Sequence, residues 1–175
     1  MQGHRLSIFA EMSMLAAETG AINLGQGFPD TDGPTEVLDA AVAAIRAGHN
    51  QYPPDRGIPE LRRAVAEHQD RFYGQEVDPD DVMVSTGASE AIGAAIMALV
   101  SEGQEVVVFE PYFDLYAAVI ALAGGVRRAV TLRAPDYSFD EAQLAAAIGP
   151  ETRLILLNTP HNPTGKVFSL EELGV

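Results

Sequence analysis

The sequence predicts an α/β fold built on a mainly parallel sheet. Three observations carry that expectation. Beyond about residue 80, short β-patterned segments alternate with apolar helical ones, the order that builds parallel sheets. Residues 105–109, EVVVF, are an unbroken β-branched run of the kind a strand covered on both faces requires. The segments that follow three of the predicted strands carry glycine, proline, asparagine and aromatic residues, which suits the carboxyl edge where such sheets hold ligands.

The elements follow in order. The stretch up to Gly33 has weak periodicity and reads as an arm, within which INLGQGFPD is an extended apolar piece entering a Gly/Pro turn. Pro34 suits the first position of a helix whose Val37, Leu38, Ala41 and Ile45 share a face, with Gly48 as its stop. HNQYPPDRG is a polar loop. Pro59 then opens a second helix, with Leu61, Ala64, Val65, His68 and Phe72 on one face and Gly74 at its end. Residues 82–86 read as a strand broken by Gly87. Residues 89–100 read as a helix apolar on most sides and therefore buried. After the 105–109 strand come a helix over 112–123 closed by Gly124 and Gly125, and a strand over 126–132. Asp140 caps a short helix through 148 with Gln143 in the capping-box position, and 153–158 is the last strand. Ser169 and Glu172 form a further capping box and announce a helix at the end of the chain.

The 175 residues suit one domain, or one domain with a short appendage, and 47% hydrophobic content is enough for a core. With 25 acidic against 11 basic residues, the net charge of -14 repels nucleic acid and anionic membrane surfaces. No apolar run is long enough to span a bilayer, and no signal peptide is visible. The absence of cysteine excludes disulfides and thiolate metal sites, so the expected compartment is the cytoplasm. Ten of the basic residues are arginines; the only lysine is Lys166, which reads as exposed.

Three segments carry chemistry. At TGAS, small residues stand where a strand gives way to a helix. Free N–H groups and the helix dipole there favour an anion, and the Ser89 hydroxyl adds a donor. An ordinary strand-to-helix turn is the plainer reading. Phe113, just past the second strand, offers a ring at the ligand edge or simply anchors its loop. The segment NTPHNPTG, from Asn158 to Gly165, is stiffened by two prolines that bias their predecessors towards extended shapes. Asn162 is thereby held in a set direction, and its carboxamide can donate to an anionic oxygen. A rigid turn with solvent-facing asparagines is the alternative. His161 has no second ligand at metal-binding spacing. A dinucleotide-loop reading of LGQGFPD fails, because the third glycine and the following helix are missing.

Taken together, NLGQGFPD, QYPPDRGIPELRRAVA, VSTGASEAI, FEPYFDLY and NTPHNPTGKVFSLEEL, in that order, resemble the class I/II aminotransferases of the pyridoxal-phosphate (PLP) fold type I superfamily. The likeness is strongest to the kynurenine/glutamine and succinyl-diaminopimelate/methionine transaminase branch. It implies residues 1–33 as N-terminal arm and small-domain segment and 34–175 as the first part of the large PLP-binding domain. It implies that Gly87, Ala88 and Ser89 hold the cofactor phosphate and that Phe113 stacks on the pyridine ring. Asn162 would donate to the cofactor's phenolic oxygen and lie near the substrate carboxylate. Gly27 would line the substrate pocket through its backbone. Tyr52 would reach the phosphate of a neighbouring subunit's cofactor, which implies a homodimer. The family's Schiff-base lysine is expected downstream, so this chain holds no catalytic residue; Lys166 stands where the family does not use one. The resemblance also places the 82–86 strand apart from the next three, with later strands between. The expected reaction is transfer of an amino group between an amino acid and a 2-oxo acid. A C–S β-lyase or aminocyclopropane-carboxylate synthase-like activity would share most of these motifs. A non-catalytic binding or assembly remnant of the fold is the third reading.

Overall fold

The computed structural model describes residues 8–25, 27, 29 and 31–174. Gln26, Phe28 and Asp30 of the expected Gly/Pro turn, and the first seven residues of the arm, lie outside these. The chain divides into two compact units, residues 1–53 and 54–175.

The first unit holds α1 (Ile8–Thr19) and α2 (Thr35–Arg46). Helix α1 corrects the expectation of an aperiodic arm. Its sequence, IFAEMSMLAAET, is apolar on nearly every side, so no 3.6-residue stripe marks it. Pro34 stands one position earlier than expected, as the N-cap of α2, and its carbonyl accepts the first N–H bonds from Val37 and Leu38. No residue of α2 is buried, and Val37, Leu38 and Ile45 are exposed. The amphipathic stripe is present, but the described residues of its own unit leave it uncovered.

The second unit begins with α3 (Pro59–Tyr73), where Pro59 occupies the first turn as expected. Gly74 closes the helix in the left-handed region at φ +63°, with its N–H on the Asp70 carbonyl and that of Gln75 on Gln69. Arg62 ties α3 to the turn at 79–82. Its guanidinium donates to the Pro79 and Val82 carbonyls at 2.9 and 3.1 Å and pairs with Asp80 at 2.6 Å.

A parallel sheet forms the centre, in the order β2-β1-β3: β1 (Glu105–Glu110), β2 (Val126–Thr131) and β3 (Thr152–Leu156). Helices α4 (Gly87–Leu99), α5 (Leu115–Leu122) and α6 (Glu141–Ala147) flank it. The strand order explains where the helices lie. The β1-to-β2 crossover moves one way along the sheet, and the β2-to-β3 crossover passes back over β1. Right-handed crossovers in opposite directions put α5 and α6 on opposite faces. Val106 and Val108 accordingly pack with Ile96, Tyr116, Val119 and Ile120, whereas Val107 and Phe109 pack with Val130, Leu132 and Phe168, beside Leu144 of α6. Val106, Val107 and Val108 are fully buried, as their β-branched run requires.

Several expectations need correction. Residues 82–86 belong to no sheet, and Thr86 is a bend; Val84 makes one N–H bond to the Arg56 carbonyl. A strand exists only by its ladder, and among the described residues no neighbour offers one. Helix α4 is not buried: Ile96 is, but Met97 and Leu99 are exposed. Helix α5 begins at Leu115 rather than 112. Asp140 does cap α6, accepting from the Ala142 N–H at 2.9 Å. Gln143 does not complete a capping box: its carbonyl accepts from the Thr131 N–H across the face of the sheet. The Ser169–Glu172 box is reciprocal as expected, Ser169 N–H to Glu172 at 2.9 Å and Glu172 N–H to Ser169 Oγ at 3.1 Å, but it starts only a 3-10 turn, Glu172–Gly174.

Candidate active site at the carboxyl edge of the sheet

Strands β1 and β3 are parallel neighbours, with Val108 opposite Leu156, so the segments after them leave from the same edge. The chain after β1 goes to α5 on one face, and the chain after β3 brings Phe168 to the other. Where adjacent strands send their connections to opposite faces, a crevice opens at the carboxyl ends, and α/β sheets bind ligands there.

Helix α4 aims its first turn towards this edge. Its far end lies at the opposite one: the Leu99 carbonyl accepts from Arg153 at the start of β3, and Val100 packs against Gly125 just before β2. Nearer its start, Ile92 packs on the same cluster as Tyr112 and Phe113 from the loop after β1. Gly87 begins α4 at φ +76°, a conformation that favours glycine, and a Cβ there would meet nothing within 4 Å. Gly87, Ala88 and Ser89 are all exposed. The Glu90 carboxylate accepts from the Thr86 N–H, and that bond holds its pKa below the usual glutamate value. Glu90 thus stabilises the turn at TGAS, a role missed in the sequence because no capping-box spacing marks it.

Phe113 is half-buried. Its ring meets Tyr116 edge-on, with centroids 5.9 Å apart, and leans on the α4–α5 cluster. It therefore anchors its loop while part of its surface stays exposed.

The 158–168 loop is laced by its own short side chains. Asn158 Oδ1 accepts from the Asn162 N–H at 2.8 Å, and Thr159 Oγ1 from the Phe168 N–H at 3.2 Å. Between them, the His161 N–H donates to the Lys166 carbonyl and the Gly165 N–H to that of His161, both at 2.7 Å. Asn162 is exposed, and no hydrogen bond among the described residues engages its carboxamide. His161 is buried, with Nδ1 2.9 Å from Thr164 Oγ1. Burial lowers its pKa, a shift only partly opposed by the nearby Phe109 backbone. Among the described residues no cluster of His, Asp or Glu could hold a metal, so His161 is a packed core histidine.

Lys166 departs from expectation. Its side chain is only 9% exposed, its Nζ lies 2.7 Å from Glu172 and 5.3 Å from the Phe168 ring centre. The pairing lowers the pKa of Glu172.

Two expected site residues belong to the first unit. Tyr52 is 99% exposed, and Gly27 is exposed with open space around its Cβ position.

The family model for aminotransferases of class I and II matches residues 19–174. The chain belongs to this family. It is 48% identical to a probable N-succinyldiaminopimelate aminotransferase of Mycobacterium tuberculosis, across 99% of this chain and 45% of that protein. It is 45% identical to the methionine aminotransferase of Escherichia coli, across 93% of this chain and 42% of the relative. Two solved structures agree. YbdL of Escherichia coli, for which a methionine aminotransferase function is identified, superposes with a TM-score of 0.93 at 42% identity, over 99% of this chain and 46% of its own. The N-succinyldiaminopimelate aminotransferase of Mycobacterium tuberculosis gives 0.91 at 49% identity, over 96% and 44%. The α/β architecture is that of PLP-transferase fold type I, and the chain spans under half the length of these relatives. No helix among the described residues is long and apolar enough to cross a membrane.

Proposed function

We propose that this chain supplies the N-terminal arm and the first part of the cofactor-binding domain of a PLP-dependent aminotransferase. Residues 1–33 form the arm in this reading, and residues 34–175 the start of the large domain. One observation supports it: a half-buried aromatic ring and an asparagine carboxamide without a hydrogen bond among the described residues lie in the segments that follow the neighbouring strands β1 and β3, and the glycine-led α4 packs its Ile92 on the same cluster as that ring. The donor set fits pyridoxal phosphate. Open space at Gly87 leaves room for a phosphate against the first-turn N–H groups of α4.

Gly87, Ala88 and Ser89 hold the phosphate through backbone N–H groups and the Ser89 hydroxyl. Phe113 offers a face to the pyridine ring. Asn162 donates from its carboxamide to the phenolic oxygen and borders the substrate carboxylate. Gly27 lines the substrate pocket with its backbone, and Tyr52 donates to the phosphate of a second copy's cofactor, making the working unit a homodimer. When bound, the cofactor supplies the electron sink for moving an amino group from an amino acid to a 2-oxo acid. Lys166, paired with Glu172, stays outside that chemistry, and the amine that carries the cofactor comes from beyond these residues.

Titrating the intact protein with pyridoxal phosphate tests the reading. Saturable binding is expected, weakened at least about tenfold by N162A, which removes a hydrogen bond to a charged group. No saturation, or an unchanged affinity in N162A, would sink it. Methionine and N-succinyldiaminopimelate, the substrates in the relatives' names, are the first donors to assay. A 2-oxo acid product marks transamination, whereas ammonia and a thiol would mark lyase chemistry.

A further inference from the structure

We propose that Lys166 is a positioning residue: with Glu172 it clamps the 158–168 loop and so holds Asn162 in its presenting conformation. The proposal rests on the PLP reading only for what Asn162 contacts. The geometry of the clamp stands by itself. Glu172 grips two points at once. One carboxylate oxygen accepts the Lys166 ammonium at 2.7 Å, and the other accepts the Ser169 N–H at 2.9 Å. The end of the loop and the terminal 3-10 turn are thereby joined through a single side chain. The Phe168 ring, buried against Phe109 and Phe139, lies beside the ammonium and shields the pair.

From Lys166 the restraint passes inward through the backbone. The Lys166 carbonyl accepts from the His161 N–H at 2.7 Å, and its own N–H donates to Thr164 Oγ1 at 3.2 Å. The same Thr164 oxygen meets the His161 ring at 2.9 Å. Asn162 is the next residue, held from its other side by Asn158. A lysine pair on an open surface would contribute little, but here the lysine is largely buried, so removing Glu172 leaves a poorly solvated charge beside the loop and removing Lys166 takes away the group that packs there. Asp136, whose pKa is lowered chiefly by hydrogen bonds from its own backbone and from Ser138, also feels the Lys166 charge.

Hydrogen–deuterium exchange on the intact protein reads the clamp directly. K166M is expected to speed exchange at the His161, Asn162 and Gly165 amides by about tenfold or more, while Val106 to Val108 of β1 stay unchanged and K166R restores the loop. E172Q, nearly isosteric, is the second variant should K166M not fold; the same pattern is expected. Unchanged loop exchange in E172Q overturns the proposal. So does equal acceleration in the loop and in β1, which would mark a pair serving general stability alone. Pyridoxal phosphate affinity separates the two readings. If N162A weakens it and K166M does not, the clamp fails and the cofactor reading stands. If N162A leaves it unchanged while the exchange pattern appears, the cofactor reading fails and the clamp stands.

Discussion

Residues 82–86 and strand β1 carry similar sequences and meet different fates. Both are β-branched and apolar: VMVST in one, EVVVFE in the other. In β1, every residue faces a neighbour in β2, and the side chains at 106, 107 and 108 are fully buried. In 82–86 the backbone pairs with no strand and is held instead by the Arg56 carbonyl and the Arg62 guanidinium, with Met83 58% exposed. The difference lies in the partners. A β-prone sequence fits a pleated surface but does not create one.

The largest effect should come from a charge set into each segment. V108D buries an unpaired carboxylate at the centre of the sheet and should cost about 4 kcal/mol or more. M83D should stay within about 0.5 kcal/mol. Urea midpoints measure both, and similar losses would erase the contrast. Next is G57A, which attacks the support of the extended segment. Gly57 sits at φ +96°, and a Cβ there would lie 2.5 Å from Val84 Cγ2. A loss of about 1–3 kcal/mol is expected, partly recovered in G57A/V84A. D140A removes the cap of α6, which covers the second face of β1, and should cost about 1 kcal/mol in thermal or urea melts.

The smallest effect is one of pH. Burial holds the folded pKa of His161 below its ordinary 6.5. The unfolded chain then binds more protons beneath 6.5, so stability is full above that value and declines as pH falls towards the folded pKa. H161Q should flatten this window. Glu172 acts in a lower one: its depressed pKa contributes stability above 4.5 that is lost as pH falls through the folded value, and E172Q should remove that slope. Urea midpoints from pH 8 down to about 3, read about one unit apart, separate the two windows.

Strand β1 was legible because burial on two faces writes itself as an unbroken β-branched run, and β2 and β3 from their place in the alternation of strands and helices. The α3 and α6 caps were legible because Pro59, Gly74 and Asp140 act within a few residues of themselves. Helix α1 was hidden by uniform apolarity, and α4 was read as buried because composition reports a need for cover, not its presence. At the site, TGAS, Phe113 and NTPHNPTG could be seen as loop chemistry at strand ends. The environment of Lys166 could not, since its pairing depends on a turn that brings a residue six positions away back onto it.

The strand order has a consequence for how this sheet can be enlarged. Any strand that joins β2 on its outer side must settle beside Arg127 and Arg128, one laid over the Tyr112 ring and the other paired with Glu105. Charged side chains of this kind discourage edge-to-edge addition. The outer side of β3 offers Ile155, 47% exposed, with Leu157 just beyond it at 43%. Like a crystal with one slow face and one fast face, the sheet has two unlike flanks, one guarded by guanidinium groups and one left aliphatic.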